Sequence, residues 1–64
     1  MNFNLKLKKI RTFRKMTQAE LGAALGWGDK GANRLAQYET NYRVPKQDLI
    51  TEMAKILDVN PWTL

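Results

Sequence analysis

Three polar side chains near the middle of the chain are placed to form hydrogen bonds with the edges of nucleic-acid bases. Asn33, Arg34 and Gln37 would lie on a helix, away from its apolar side. From a helix, Asn or Gln can form two hydrogen bonds with adenine, and Arg can form two with guanine. Arg34 could also contact a phosphate or pair with Asp29 at the surface. The alternative for Asn33 and Gln37 is an ordinary solvent-facing amide.

A second group of polar and basic residues could bind phosphates. Thr17 and Gln18 stand at the start of a predicted helix, where backbone N–H groups attract anions. A loop after the third predicted helix carries further candidates, although each could serve only solubility. The full set for phosphate contact is Thr17, Gln18, Lys30, Asn41, Tyr42, Arg43 and Lys46.

Several residue types that catalysis and metal binding commonly require are absent. The 64 residues include no Cys, no His and no Ser, so a Ser-His or Cys-His nucleophile pair cannot form. A structural zinc site would lack thiolate and imidazole ligands. The six carboxylates are scattered singly. We therefore expect no enzyme, no catalytic residues, no metal and no cofactor.

Positive charge is concentrated at the N-terminus. The chain has 11 Lys and Arg against 6 Asp and Glu, which gives a net charge of +5. Residues 1–16 contribute six bases and no acid, whereas residues 17–64 contribute five bases and six acids. Such a basic chain suits a polyanion, either a nucleic acid or an acidic membrane surface. A mitochondrial targeting segment is a weaker alternative, because no Ser and no cleavable linker accompany it.

Apolar spacing predicts the first two helices. The first, over 4–15, has its apolar stripe at Phe3, Leu7, Ile10 and Phe13. The second, over 18–25, begins with a capping box between Thr17 and Glu20 and ends at Gly26. Its predicted buried positions are Leu21, Ala24 and Leu25. Gly22 inside this helix costs about 1 kcal/mol relative to Ala, a cost that close packing of the next helix would explain.

A glycine-rich turn over 26–31 separates the second helix from a third over 32–40, which Asn41 can close in the left-handed conformation. A fourth helix starts at Gln47 or Asp48 and ends at 58–59, and Asn60-Pro61 predicts the N-cap and first residue of a short fifth. The buried positions of the fourth helix would be Leu49, Ile50, Met53, Ala54 and Leu57. All three methionines are expected in the core. The predicted fold is all-α, one domain over 1–64, a compact bundle of four helices plus a short fifth.

The second and third predicted helices form a helix-turn-helix arrangement. Together with their surroundings they resemble the Cro/C1-type helix-turn-helix family, which comprises the lambdoid phage repressors and their bacterial relatives. The resemblance covers about residues 3–64 and is specific as one spaced set. It rests on Ile10-Arg11, the run 16–22, Leu25-Gly26, the run 35–39, Arg43, Pro45 and the run 49–59.

The resemblance implies roles for individual residues. Arg11 and Glu39 match the family's structural ion pair, and Gln18 matches its phosphate-clamping glutamine. Arg43 falls in the loop that also grips the DNA backbone. The positions that align with base-reading residues are Asn33, Gln37 and Ala32, the last offering only a methyl group.

The chain also departs from the family pattern. The stretch between Gly26 and Leu35 is longer by about three residues, which fall within 27–31. Gly22 replaces the usual Ala, and Asn41 replaces the usual Gly. Trp27 is expected in the core beneath the turn. The chain ends with Trp62 and Leu64, which could close the core or form an apolar patch for self-association.

The expected function is sequence-specific binding of a double-stranded DNA operator by a Cro-like transcriptional regulator, most simply a repressor. A homodimer on two half-sites is expected, because one such module reads few bases. The expectation includes no small-molecule ligand, no membrane, and a cytoplasmic location in a bacterium or a phage-infected host. One alternative is an antitoxin or adaptor that uses this fold for protein contact. Another is a membrane-surface protein that binds through its first helix.

Overall fold

The computed structural model describes residues 2–64, which form four α-helices and two turns of 3-10 helix. The helices are α1 (Phe3–Phe13), α2 (Gln18–Ala24), α3 (Gly31–Glu39) and α4 (Gln47–Leu57). A first 3-10 turn (Gly28–Lys30) runs directly into α3, and a last 3-10 turn (Pro61–Thr63) follows α4. The described residues contain no strand, and the predicted all-α class is confirmed.

The core takes apolar side chains from all four helices. α2 packs on α3, and α1 packs on the C-terminal end of α3. Leu25, Leu49 and Leu64 are half-buried against this core. Ile50 is half-buried as well. Met16 is half-buried, whereas Met1 lies outside the described residues. The central buried cluster is Leu7, Leu21, Leu35, Tyr38, Met53 and Leu57.

Two predicted core positions are wrong. Phe13 is 77% exposed, because about 100° of rotation per residue places it roughly 120° around α1 from the buried Leu7. Ala24 is also exposed, and Leu25 instead packs against the core from the end of α2. The predicted end of the first helix is two residues too long, because Lys15 adopts a left-handed φ of 59° and breaks the helix.

The predicted helix ends are largely present. The Thr17 hydroxyl accepts from the Glu20 N–H at 3.0 Å, and the Glu20 carboxylate accepts from the Thr17 N–H at 2.8 Å. Gly26 closes α2 with a φ of 83°, and Asn41 follows α3 with a φ of 64°. Asn60 lies at the predicted N-cap position before Pro61, although its side chain makes no capping hydrogen bond. The residues after it form a single 3-10 turn.

A glycine contact joins α2 to α3. Gly22 faces Gly31, and a Cβ atom added at Gly31 would lie 2.8 Å from the Gly22 Cα atom. The extra residues of the turn are therefore taken up by the first 3-10 turn, which brings Gly31 against α2. Trp27, predicted in the core, is half-buried and stacks on Tyr38 with ring centroids 5.8 Å apart.

Candidate nucleic-acid interface

A buried ion pair connects α1 to the end of α3. The Arg11 Nε atom donates to Glu39 Oε2 at 2.5 Å, and Arg11 Nη2 donates to Glu39 Oε1 at 3.2 Å. Arg11 is 8% exposed and Glu39 is 7% exposed. The Arg11 Nη1 atom also donates to the Met16 carbonyl at 2.7 Å. The guanidinium thus fixes the segment before α2 as well as the end of α3.

The same carboxylate holds the start of α2. The Gln18 Nε2 atom donates to Glu39 Oε1 at 3.0 Å, and Asn4 Nδ2 donates to the Glu39 carbonyl at 3.4 Å. Thr17 next to it is exposed, and its hydroxyl still has a proton to donate. One network therefore sets the position of the α2 N-terminus relative to α3.

The surface of α3 opposite the core bears a shallow groove. Asn33 is exposed and Gln37 is half-buried beside it, since residues four apart are neighbours on a helix. The groove also includes Ala36 and Thr40, which are not among the predicted site residues. Their spacing of three from Asn33 and Gln37 would have been sufficient to find them. The groove is lined by Asn33, Ala36, Gln37, Thr40 and Tyr42.

Arg34 lies outside this groove. Its guanidinium carbon sits 4.5 Å from the centroid of the Trp27 ring, which is a cation–π contact. The suggested pairing of Arg34 with Asp29 is not formed, since Arg11–Glu39 is the one salt bridge among residues 2–64. Ala32 is half-buried on the first turn of α3. The structure thus brings Asn33 and Gln37 together and directs Arg34 to another partner.

The loop after α3 turns back onto Gln37. The N–H groups of Tyr42 and Arg43 both donate to the Gln37 carbonyl, at 2.9 and 3.1 Å. The Arg43 Nε atom also donates to Gln37 Oε1 at 2.6 Å. Tyr42 is 78% exposed, and Asn41 and Lys46 are exposed as well. Lys30 is exposed on the first 3-10 turn, just before α3.

Comparison with known proteins agrees with this geometry. Residues 7–61 match the helix-turn-helix family over most of the chain. The chain belongs to the Cro/C1-type helix-turn-helix family. No curated protein and no solved structure gives a significant match. The protein is accordingly a DNA-binding regulator of the helix-turn-helix type, a family whose members are typically not enzymes.

In this helix-turn-helix protein, two of the N-terminal bases serve the fold. Arg11 belongs to the buried ion pair. Arg14, another of these bases, donates from Nε to the Leu57 carbonyl at 2.9 Å and from Nη2 to the Asp58 carbonyl at 3.1 Å. It thereby caps the C-terminus of α4 with a positive charge. Because both acceptors are backbone atoms, no residue type signalled this contact in the sequence.

The remaining bases of α1 form an exposed group. Lys8 and Lys9 are exposed on the helix, Lys15 is exposed just after it, and Lys6 is half-buried. Their charges attract polyanions without carrying sequence information. No helix within residues 2–64 combines the length and apolar character needed to cross a bilayer.

Proposed function

We propose that this helix-turn-helix protein binds a specific double-stranded DNA operator and acts as a Cro-like repressor, with α3 in the major groove. One observation carries the proposal. Asn33 and Gln37 lie side by side in the open groove of α3, while the two ends of α3 are fixed through Gly31 and Glu39. Amides on a rigidly positioned helix are suited to direct reading of base edges.

Phosphate contacts would hold α3 in register. Thr17 and Gln18 start α2, where the helix N-terminus favours an anion. Lys30 stands before α3, and Arg43 and Lys46 follow it, so basic residues flank the reading surface on both sides. The exposed Asn41 and Tyr42 side chains would add hydrogen bonds to the same DNA strand. These contacts position the protein, and the base contacts of α3 specify the site.

The active form on DNA would be a homodimer. A single module reads few bases, and two copies on half-sites one helical turn apart gain both affinity and specificity. Operator occupancy alone would then block transcription, with no small-molecule ligand. The protein would be associated with DNA in the cytoplasm of a bacterium or of a phage-infected host.

Selection from a random double-stranded DNA pool, followed by titration of the selected site at two salt concentrations, tests this proposal. We expect a palindromic site that binds far more tightly than scrambled DNA. Gln37→Ala should relax the preference at one base pair per half-site. Discrimination against the incorrect bases at that pair should fall by about 1–3 kcal/mol. The control is Asn60→Ala, which removes an exposed amide outside the groove.

The contrary result would be binding that depends steeply on salt and selects no sequence, since phosphate contacts alone behave in that way. That result would favour the adaptor or antitoxin alternative. Tyr42, Val44 and Trp62 are all more than three-quarters exposed and could serve protein contact. Retention of wild-type specificity in Gln37→Ala would contradict the role of α3 as the reading helix.

A further inference from the structure

The side chains of Gln37 and Arg43 form a single hydrogen-bonded unit at the edge of the α3 groove. The Arg43 Nε–H donates to Gln37 Oε1 at 2.6 Å. A guanidinium can donate hydrogen bonds but cannot accept them, so the Gln37 atom that faces it must be the carbonyl oxygen. The orientation of the Gln37 amide is thereby determined, and its NH2 group lies on the side away from the Arg43 Nε atom.

The backbone holds these two residues next to each other. The N–H groups of Tyr42 and Arg43 both donate to the Gln37 carbonyl, which is possible because Asn41 reverses the chain with a φ of 64°. Arg43 therefore begins its side chain beside Gln37. The link between their side chains is a consequence of how α3 ends.

This link changes the hydrogen bonds that Gln37 offers to a base. A free Gln accepts from adenine N6 and donates to adenine N7. Here Oε1 already accepts a short bond from a cation, and the adenine amino group would have to approach the same oxygen beside a positive charge. The unit instead presents donors, namely the Gln37 NH2 group and the terminal N–H groups of Arg43. Within residues 2–64 those Arg43 terminal groups donate to no other atom.

We propose that Arg43 makes Gln37 select guanine rather than adenine, an inference that rests on the proposed reading role of α3. Guanine displays two adjacent acceptors, N7 and O6, in the major groove, and both can receive a donor from the unit. Adenine and thymine each offer one acceptor, and cytosine offers only a donor. The preferred base is thus guanine, and cytosine is the least favoured. Arg43 acts as a positioning residue through Gln37, in addition to any phosphate it contacts.

Selected binding sites of four variants test this inference. The relevant base pair is the one at which Gln37→Ala loses its preference. At that pair the wild-type protein should prefer guanine over adenine by roughly tenfold or more. Arg43→Ala should change the preferred base to adenine, because the freed amide can then bond to both adenine groups. Arg43→Lys should keep guanine, since an ammonium also donates to Oε1.

Lys46→Ala is the matched control, because it removes one positive charge from the same loop and leaves the Gln37–Arg43 bond intact. It should weaken binding in a salt-dependent way without changing any preferred base. Adenine at this pair in the wild-type site, or guanine retained in Arg43→Ala, would overturn the inference. Failure of the wild-type protein to select any sequence would instead refute the proposed function, so the two failures give different results.

Discussion

Glu39 is the residue on which most of the internal polar contacts converge. Its carboxylate accepts from Arg11 and Gln18, and its carbonyl accepts from Asn4. These bonds connect α1, α2 and α3 through one buried group. A residue in this position fixes the placement of α3, which carries the proposed reading surface.

Removal of this carboxylate should unfold the protein before it alters recognition. Glu39→Ala leaves the buried Arg11 charge without a partner, which costs about 3–5 kcal/mol. That loss is comparable with the total stability of a domain this small. Urea denaturation followed by circular dichroism measures it, with the exposed Glu52→Ala as the control. A midpoint equal to that of Glu52→Ala would show that the pair contributes little. The double variant Arg11→Met/Glu39→Met should recover much of the stability, because apolar replacement of both partners removes the unpaired charge.

Beyond local caps such as the Thr17–Glu20 capping box, side-chain contacts could be predicted from the sequence only where a family pattern covers both partners. Arg11 and Glu39 could be paired through the resemblance, although they are 28 positions apart. The Arg43–Gln37 bond and the Arg34–Trp27 contact could not be, because long side chains choose among rotamers according to neighbours that only the folded chain supplies. The base-reading role expected of Arg34 stays a prediction, and in the structure its guanidinium packs on Trp27.

Among the elements, the contact between α2 and α3 is the most constrained. Gly22 and Gly31 face each other with no room for a Cβ atom on either. Gly31 is also the first residue of α3, directly after the first 3-10 turn. The longer turn thus places Gly31 against α2, and the glycine at position 22 leaves space for this close contact.

Gly22→Ala should destabilise the protein, although it improves helix propensity. Propensity alone predicts a gain of about 1 kcal/mol. The new methyl group would lie about 2.8 Å from the Gly31 carbonyl oxygen, so backbone must move, and overpacking of this kind costs about 1–3 kcal/mol or more. Thermal and urea unfolding give the sign directly. Ala24→Gly, at an exposed position of the same helix, isolates the propensity effect. A stabilised Gly22→Ala variant would contradict the close contact.

Helix limits were predictable to within two residues because caps are local features of the sequence. The Thr17–Glu20 capping box and the left-handed Gly26 and Asn41 are examples. The exposure of Phe13 was not predictable from spacing alone. Apolar residues placed three or four positions apart over several turns gradually rotate away from the buried side of the helix. The 3-10 turn before α3 was not predictable either, since glycine indicates a turn without specifying its type.

At the scale of the whole molecule, the net positive charge and the small size favour a polyanionic partner with a repeating structure, such as DNA. The structure spans 28 × 23 × 21 Å, which is shorter than one turn of the DNA double helix. One copy could therefore cover only one half-site of the proposed operator. Recognition of both half-sites would require a second copy in a defined geometry.

The affinity for DNA should depend on the number of base pairs between the two half-sites. Insertion of five base pairs between the selected half-sites turns them to opposite faces of the duplex. A dimer should then bind no better than it binds DNA with one half-site deleted, which fluorescence anisotropy can compare directly. Equal affinity for the original and the lengthened site would mean that each copy binds independently.

Trp27, which contacts both Arg34 and Tyr38, gives the protein an internal optical reporter. The only other indole, Trp62, is 85% exposed, whereas Trp27 is half-buried, so the two tryptophans emit from different environments. Substitution of Trp62 by Phe would leave Trp27 as the single tryptophan, in direct contact with α3. Any movement of Arg34 toward DNA would then change the emission of Trp27, and complex formation could be followed in real time without a label.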